Sequence, residues 1–195
     1  MIYENEITVE TTLKFNELDK ILKENNFQVK EKYEVKDIYM LEKGYEMTSD
    51  YLDALKHTIL LRNIITENEV IKKITYKYKE YNEKEEIVRQ GKINLGIDSI
   101  EDAKELFEQI GYCELIKIYD RLTVYANESS EICVQEVNDK HVYIEIEEKC
   151  NYIDKKYESI DEMIEDLKRY NIPLKSEDYF VKKAEIELKE KYGEV

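Results

Sequence analysis

One proline and five glycines in 195 residues leave little from which to build a flexible linker, and no shift in composition divides the chain. No apolar run approaches the roughly 20 residues that a membrane helix needs, so a membrane is not an expected partner. The three cysteines, Cys113, Cys133 and Cys150, are odd in number and lack metal-type spacing. Buried reduced thiols are expected, rather than a disulfide or a zinc site. The two histidines, His57 and His141, stand alone in sequence, which suits structural or surface roles. The opening stretch MIYENEITVE is acidic and does not read as a signal peptide, so the cytoplasm is the expected compartment. Positive charge is outnumbered: 30 Lys and Arg against 45 Asp and Glu give a net charge of −15. That disfavours a large nucleic-acid footprint, because phosphate backbones need a basic surface. It leaves room for a small polyanion held by a few convergent cations.

What is present is enough apolar residue for a core, 42%, arranged with period. A single domain over 1–195 is expected, with 159–195 as a C-terminal helical part, as a monomer or homodimer. NEITVETTL alternates as a strand does, and FNELDKILKENNF places Leu18, Ile21 and Leu22 at helical spacing, with Asn16 as its N-cap. KYEVKDIYML, TILLRNII, EVIKKITYKYKEY and EEIVRQGKINLGI read as strands. SIEDAKELFEQIGY reads as a helix capped by Ser99 and ended by Gly111. Three more strands follow in ELIKIYDRLTVYA, EICVQEV and HVYIEIEEK. A helix capped by Ser159 with Glu162, and a final charged helix with a solvated face from SEDYFVKKAEIELKEKYG, complete the chain. Strand, helix and strand near 5–40 parallel strand, helix and strand near 91–125, a weak internal duplication.

At least seven alternating strands, several rich in charge, fit an α+β fold: a closed or nearly closed antiparallel β-barrel with helices packed outside. The strand VYIEIEEKC shows the question such strands raise. Val142, Ile144 and Ile146 alternate with Tyr143, Glu145 and Glu147. If the apolar faces pack under external helices, the charged faces point into a lumen. The alternative is an open sheet whose charged face meets water.

The order of these pieces resembles the CYTH family, the triphosphate tunnel enzymes. Its opening Glu-x-Glu-x-Lys strand is similar to ENEIT, with Glu4 and Glu6 on the glutamates and Thr8 in place of lysine. DIYM, Asp37 to Met40, resembles its Asp-x-Tyr-Phe element. LRNI resembles Leu-Arg-x-Arg, keeping Arg62 and placing Ile64 at the second arginine. Lys77 stands at the lysine of the next strand. Arg89 keeps the arginine of Arg-x-Glu while Gly91 replaces the acid. Arg121 keeps the arginine of Lys-x-Arg while Tyr119 replaces the lysine, and Gln135 stands for an aspartate. Glu145 and Glu147 match the closing Glu-x-Glu, and SEDYF partly echoes a terminal Ser-Tyr element.

The resemblance implies a metal-dependent hydrolase of a small-molecule triphosphate. Glu4, Glu6, Glu145 and Glu147 would be ligands to Mg²⁺ or Mn²⁺, hard ions that prefer oxygen. Glu145 and Glu147 would be the catalytic pair. Arg62, Lys77, Arg89 and Arg121 would bind phosphates, where the planar guanidinium suits bidentate contact. Lys73 is read as structural. Fewer cations than the family pattern favour a nucleoside or other organic triphosphate over a long polyphosphate. Two alternatives are a non-catalytic nucleotide- or polyphosphate-binding or interaction protein on the same fold, and a class IV-type adenylate cyclase.

Overall fold

Alternation of apolar side chains decides which strand faces are buried, and helices cover those faces. The computed structural model describes residues 5–48, 50–81 and 87–193, apart from the side chains of 79–81 and 87–90. The strands are β1 (Glu6–Glu10), β2 (Gln28–Glu42), β3 (Thr58–Ile65), β4 (Val70–Tyr81), β5 (Ile87–Gly96), β6 (Tyr112–Ala126), β7 (Glu131–Val137) and β8 (His141–Glu147). The helices are α1 (Phe15–Glu24), α2 (Tyr51–Lys56), α3 (Ile100–Gln109), α4 (Ile160–Lys168) and α5 (Lys183–Tyr192). The strands hydrogen-bond in the order β1-β8-β7-β6-β2-β3-β4-β5. The expected antiparallel sheet forms, but β1 and β5 end that order, so hydrogen bonds do not close it.

The chain forms two compact units, and β2 and β6 each run through both. One unit comprises 34–119 and the chain from Lys182 onward. It carries β3, β4, β5 and α3, and is called the β3–β5 unit below. The other comprises 4–33 and 120–181, and carries β1, β7, β8, α1 and α4. It is called the β7–β1 unit. The expected helical part, 159–195, is thus shared out, with α4 in one unit and α5 in the other. β1-α1-β2 and β5-α3-β6 are the two copies of the strand–helix–strand pattern expected from the sequence.

In the β7–β1 unit, Ile7, Val9, Ile132, Val134, Ile144 and Ile146 pack with Leu18 and Leu22 of α1 and Met163 and Leu167 of α4. All are buried, and each such side chain contributes about 1.5–3 kcal/mol. In the β3–β5 unit, Met40, Leu61 and Ile74 pack with Ile100, Ala103 and Phe107 of α3.

Ser99 and Ser159 cap their helices as expected, accepting from the Asp102 and Glu162 amides at 3.0 and 3.2 Å. Gly111, at φ +102°, ends α3 in a conformation that suits glycine. At α1 the expectation fails: the cap is Lys14, whose amide donates to Glu17 Oε2 at 2.9 Å, and Asn16 lies in the first turn. α2 is a short helix that the sequence pattern did not reveal; Asp50 caps it.

α5 begins at Lys183, later than expected, and buries Glu187 and Leu188 beside its solvated charges. The residues before it do other work. The stretch 173–181 runs along the outer edge of β1. Thr8 N donates to Tyr179 O, Val181 N to Thr8 O, and Lys175 N to Glu10 O. An edge strand with unpaired backbone groups invites unwanted pairing, and this strap occupies them. The strap also reaches a buried carboxylate: Glu10 accepts from Lys175 Nζ at 3.0 Å and lies 2.8 Å from His141 Nδ1. His141 thus has the structural role expected of it. The cysteines are free thiols, but only Cys150 is buried; Cys133 is half-buried and Cys113 exposed.

Asp166 of α4 is the densest polar node of the β7–β1 unit, 1% exposed. It accepts hydrogen bonds from the Ser130 and Tyr157 hydroxyls, Lys155 Nζ and Arg169 Nη1. Burial and this carboxylate push the Tyr157 phenol well above its ordinary pKa. Removing a buried acceptor strands its donors. Asp166→Ala is expected to lower unfolding free energy by about 3–5 kcal/mol in urea titration, and Arg169→Ala, at the exposed rim, by less than about 1 kcal/mol.

Candidate functional site

Register places the carboxylates together. β1 and β8 pair antiparallel with Glu6 opposite Glu147, Thr8 opposite Glu145 and Glu10 opposite Tyr143. Cross-strand partners point to the same face, so Glu6, Glu145 and Glu147 share the face opposite the Ile7, Val9, Ile144 and Ile146 core. Carboxylate oxygens from these three glutamates all lie within 4.8 Å of one another. Among the described residues, no other three such side chains come close enough to share a metal ion. Opposite corners of a Mg²⁺ octahedron are about 4.2 Å apart, given metal–oxygen distances near 2.1 Å. Adjacent corners are about 3.0 Å apart, so the three carboxylates, which offer the oxygen donors a hard divalent ion prefers, would draw together around one. Glu6 and Glu145 are half-buried and Glu147 exposed. Glu4 lies outside the described residues.

Around the trio the β7–β1 unit adds groups that the motifs did not single out. Cys133 pairs with Glu145 across β7 and β8, and Gln135 with Tyr143. Tyr33, in the first half of β2, hydrogen-bonds with Cys133, and its phenol is held far above the usual range. Burial is the main cause, followed by the charges of Cys133, Glu145 and Glu147. The sequence offered a hint here: Tyr33 is two residues from Val35 and four from Asp37, on the same alternation.

Arg121 does not join the trio. In β6 it pairs with Glu136, between the Asp120–Val137 and Leu122–Gln135 pairs. Gln135 shares the face of Cys133, Tyr143 and Glu145, so Arg121 points to the opposite face, with Thr123 and Tyr125. There it is exposed and bridges Glu136 at 3.3 Å and Asp139 at 2.5 Å. Asp120, buried, occupies the carboxylate face at this point of β6.

The β3–β5 unit carries the cations. Asp37 pairs with Arg62, Arg62 with Lys73, and Lys77 with Lys92. With Thr75 hydrogen-bonded to Asn94 between them, these residues form the face turned away from α3. Asp37, 3% exposed, accepts from Arg62 Nε at 2.7 Å and Nη2 at 2.5 Å. That fixes the guanidinium by one edge of its fork. Lys73 belongs to this row, although the sequence reading made it structural. Its ammonium titrates below the ordinary lysine range because of burial, then the charges of Arg62 and Lys92, against the opposing pull of Asp37. Lys92 was not foreseen at all. It emerges only when the β4–β5 register puts it opposite Lys77. Arg89 pairs with Glu80 in β5, and its side chain lies outside the described residues.

Gly91 has a packing reason. A Cβ there would lie 2.0 Å from the Tyr78 hydroxyl oxygen and 2.4 Å from Cζ of its ring, so Tyr78 lies across the glycine opposite it.

No family model matches the chain. A curated protein of Methanocaldococcus jannaschii, named "Putative adenylate cyclase MJ0240", is 28% identical over 97 residues, 50% of this chain and 54% of that protein. The match thus spans about half the length of that relative. The structure of the PH1819 protein from Pyrococcus horikoshii superposes with a TM-score of 0.68 at 20% identity, covering 96% of this chain and 99% of that one. A Hippeastrum structure, named "Putative adenylyl cyclase HpAC1" with a dominant triphosphatase activity, gives 0.58 at 11% identity, covering 97% and 96%. At these identities the structures share the fold with this chain, and they do so over nearly its whole length. Among the described residues, no helix is long and apolar enough to cross a membrane.

Two outcomes follow from the cation row. Arg62→Ala leaves Asp37 buried without its bidentate donor and is expected to lower stability by about 3 kcal/mol, read by urea denaturation. The Lys73 ammonium is disfavoured by its neighbours, so a bound anion raises its pKa. Binding of inorganic tripolyphosphate should therefore take up protons at alkaline pH, below the ordinary lysine value of 10.5, and tighten as pH falls. Calorimetry in buffers of different ionisation enthalpy measures that uptake.

Proposed function

We propose that this chain is a metal-dependent phosphohydrolase acting on an organic or nucleoside triphosphate. The observation that carries the reading is the carboxylate trio of Glu6, Glu145 and Glu147, set on one face by the β1–β8 register. A row of cations on one sheet face, Arg62, Lys73, Lys77 and Lys92, supports it. So does the triphosphatase activity named for the Hippeastrum protein of the same fold.

Glu6, Glu145 and Glu147 would hold Mg²⁺ or Mn²⁺, which when bound neutralises phosphate charge and lowers the pKa of a coordinated water. The remaining chemistry belongs to the chain. Arg62, aligned by Asp37, offers the guanidinium edge beyond that carboxylate to a phosphate oxygen. Lys73, Lys77 and Lys92 add positive charge to meet the negative charge that develops on the departing phosphate as the anhydride bond breaks. Lys77 keeps its proposed phosphate-binding role and Lys73 gains one. Arg121 is left out of the proposed site because of its face.

The test is phosphate release from a panel of nucleoside and inorganic triphosphates with Mg²⁺ and Mn²⁺. Glu145→Gln and Glu147→Gln are each expected to lower kcat/KM at least about 100-fold. Arg121→Ala should leave it within about 2-fold, and EDTA should abolish it. Turnover untouched by both glutamine variants sinks the assignment.

Thr8, Gly91 and Tyr119 favour a second reading, a protein that binds triphosphates without cleaving them. Thr8, buried and held to the strap through its backbone, and Tyr119 stand where the family pattern has lysines, and Gly91, which faces away from the cation row beneath Tyr78, stands where it has an acid. Saturable tripolyphosphate binding with no phosphate release from any substrate would select it. Cyclic AMP formation from ATP would select cyclisation instead.

A further inference from the structure

The β3–β5 unit has a cavity of about 520 Å³, a size suited to a small organic molecule. None of its lining residues belongs to the proposed triphosphate site. Leu41 and Leu115, both buried, supply apolar wall. Three tyrosines, Tyr45, Tyr51 and Tyr192, line it as well.

Each tyrosine hydroxyl is committed to the framework. Tyr45 donates to Asp53 at 2.6 Å, Tyr51 to the Gly193 carbonyl at 2.8 Å, and Tyr192 to the Leu115 carbonyl at 3.3 Å. The rings are therefore held in place with their polar ends occupied. What they can offer a ligand is aromatic surface, negative over its face. Asp53 also pushes the Tyr45 phenol up to about 12, which keeps it neutral at ordinary pH.

The ionised groups that line the cavity are Glu42 and Glu114, both negative. Glu114 is already bonded to Lys104 at 3.0 Å and Lys117 at 3.3 Å. Glu42 makes no ion pair among the described residues. An ammonium is already accommodated beside the rings: Lys191 Nζ lies 5.1 Å from the Tyr192 ring centre and donates to the Leu115 carbonyl at 2.6 Å.

Apolar wall, fixed aromatic rings and a carboxylate with no ion pair form the set that recognises an alkylammonium ion. The same set repels phosphate. We propose that this cavity binds a small organic cation, a quaternary or primary ammonium bearing apolar carbon, at a site separate from the triphosphate chemistry. The proposal does not depend on the hydrolase reading, and phosphate-release assays do not bear on it.

The chain has four methionines, and Met47 lines the cavity. Met40 and Met163 are fully buried elsewhere and serve as internal controls. ¹³C-methyl methionine spectra of the full chain, at fixed ionic strength, are titrated with choline and with its neutral isostere 3,3-dimethyl-1-butanol. Choline should shift the Met47 signal saturably with a Kd near or below about 1 mM. The alcohol should bind at least about 10-fold more weakly, because it lacks the cation–π and carboxylate terms. Glu42→Gln and Tyr192→Leu, both at exposed positions, should each weaken choline about 3- to 30-fold while leaving the Met163 signal in place. Absence of a saturable Met47 shift, an equal response to the alcohol, or unchanged affinity in both variants would overturn the proposal.

Discussion

The pairing of β1 with β8 is the constraint on which the candidate site depends. Side chains alternate along a strand, so a slip of one residue would send Glu6 into the core and Ile7 to the polar face. Three things prevent it. Ile7 and Val9 pair directly with Ile146 and Ile144, and all four are buried. The strap of 173–181 fixes the far edge of β1 through backbone bonds at Thr8 and Glu10. Lys175 and His141 then hold the Glu10 carboxylate. Core packing, edge pairing and a buried ion contact thus agree on one register, and that register is what sets the three glutamates within reach of a shared ion.

Charge is distributed by repeat. In the β7–β1 unit, β8 and its neighbour β1 carry Glu145, Glu147 and Glu6. In the β3–β5 unit, the corresponding strands β4 and β5 carry Lys73, Lys77 and Lys92. The two ends of the strand order thus share an arrangement, an edge strand leading into a helix with its neighbour strand beside it, while their polar faces carry opposite sign. A net charge of −15 hides this, because composition averages over both faces of every strand.

The strands were legible because alternation is a local property. TILLRNII is a strand from its first residue to its last, and HVYIEIE likewise. Two helix caps were legible because serine followed by an acid three positions on has a local mechanism. What the sequence could not show depends on who stands opposite whom. Lys92 belongs to the cation row only through the β4–β5 register. Arg121 left the expected site because the β6–β7 register turns it to the other face, a choice of parity that a three-residue motif does not contain. The second half of the strap, from Ser176, reads in sequence as the start of the final charged helix. Its extended form is imposed by the edge of β1, and no local propensity records that. The buried-thiol expectation failed at Cys113 because burial of a cysteine depends on the surface around it.

Gly91 and Tyr78 occupy one space between them. The ring fills the room that a side chain at 91 would need, with the Tyr78 hydroxyl oxygen 2.0 Å from where a Cβ would lie. Their pair is one step along from Lys77 and Lys92, so both face away from the cation row. A side chain introduced at 91 would therefore collide on the far side of the sheet from the cations, and only a smaller or displaced residue at 78 would admit it. The two positions are thus coupled as a steric unit, free to trade volume with each other while the cation face beside them stays as it is.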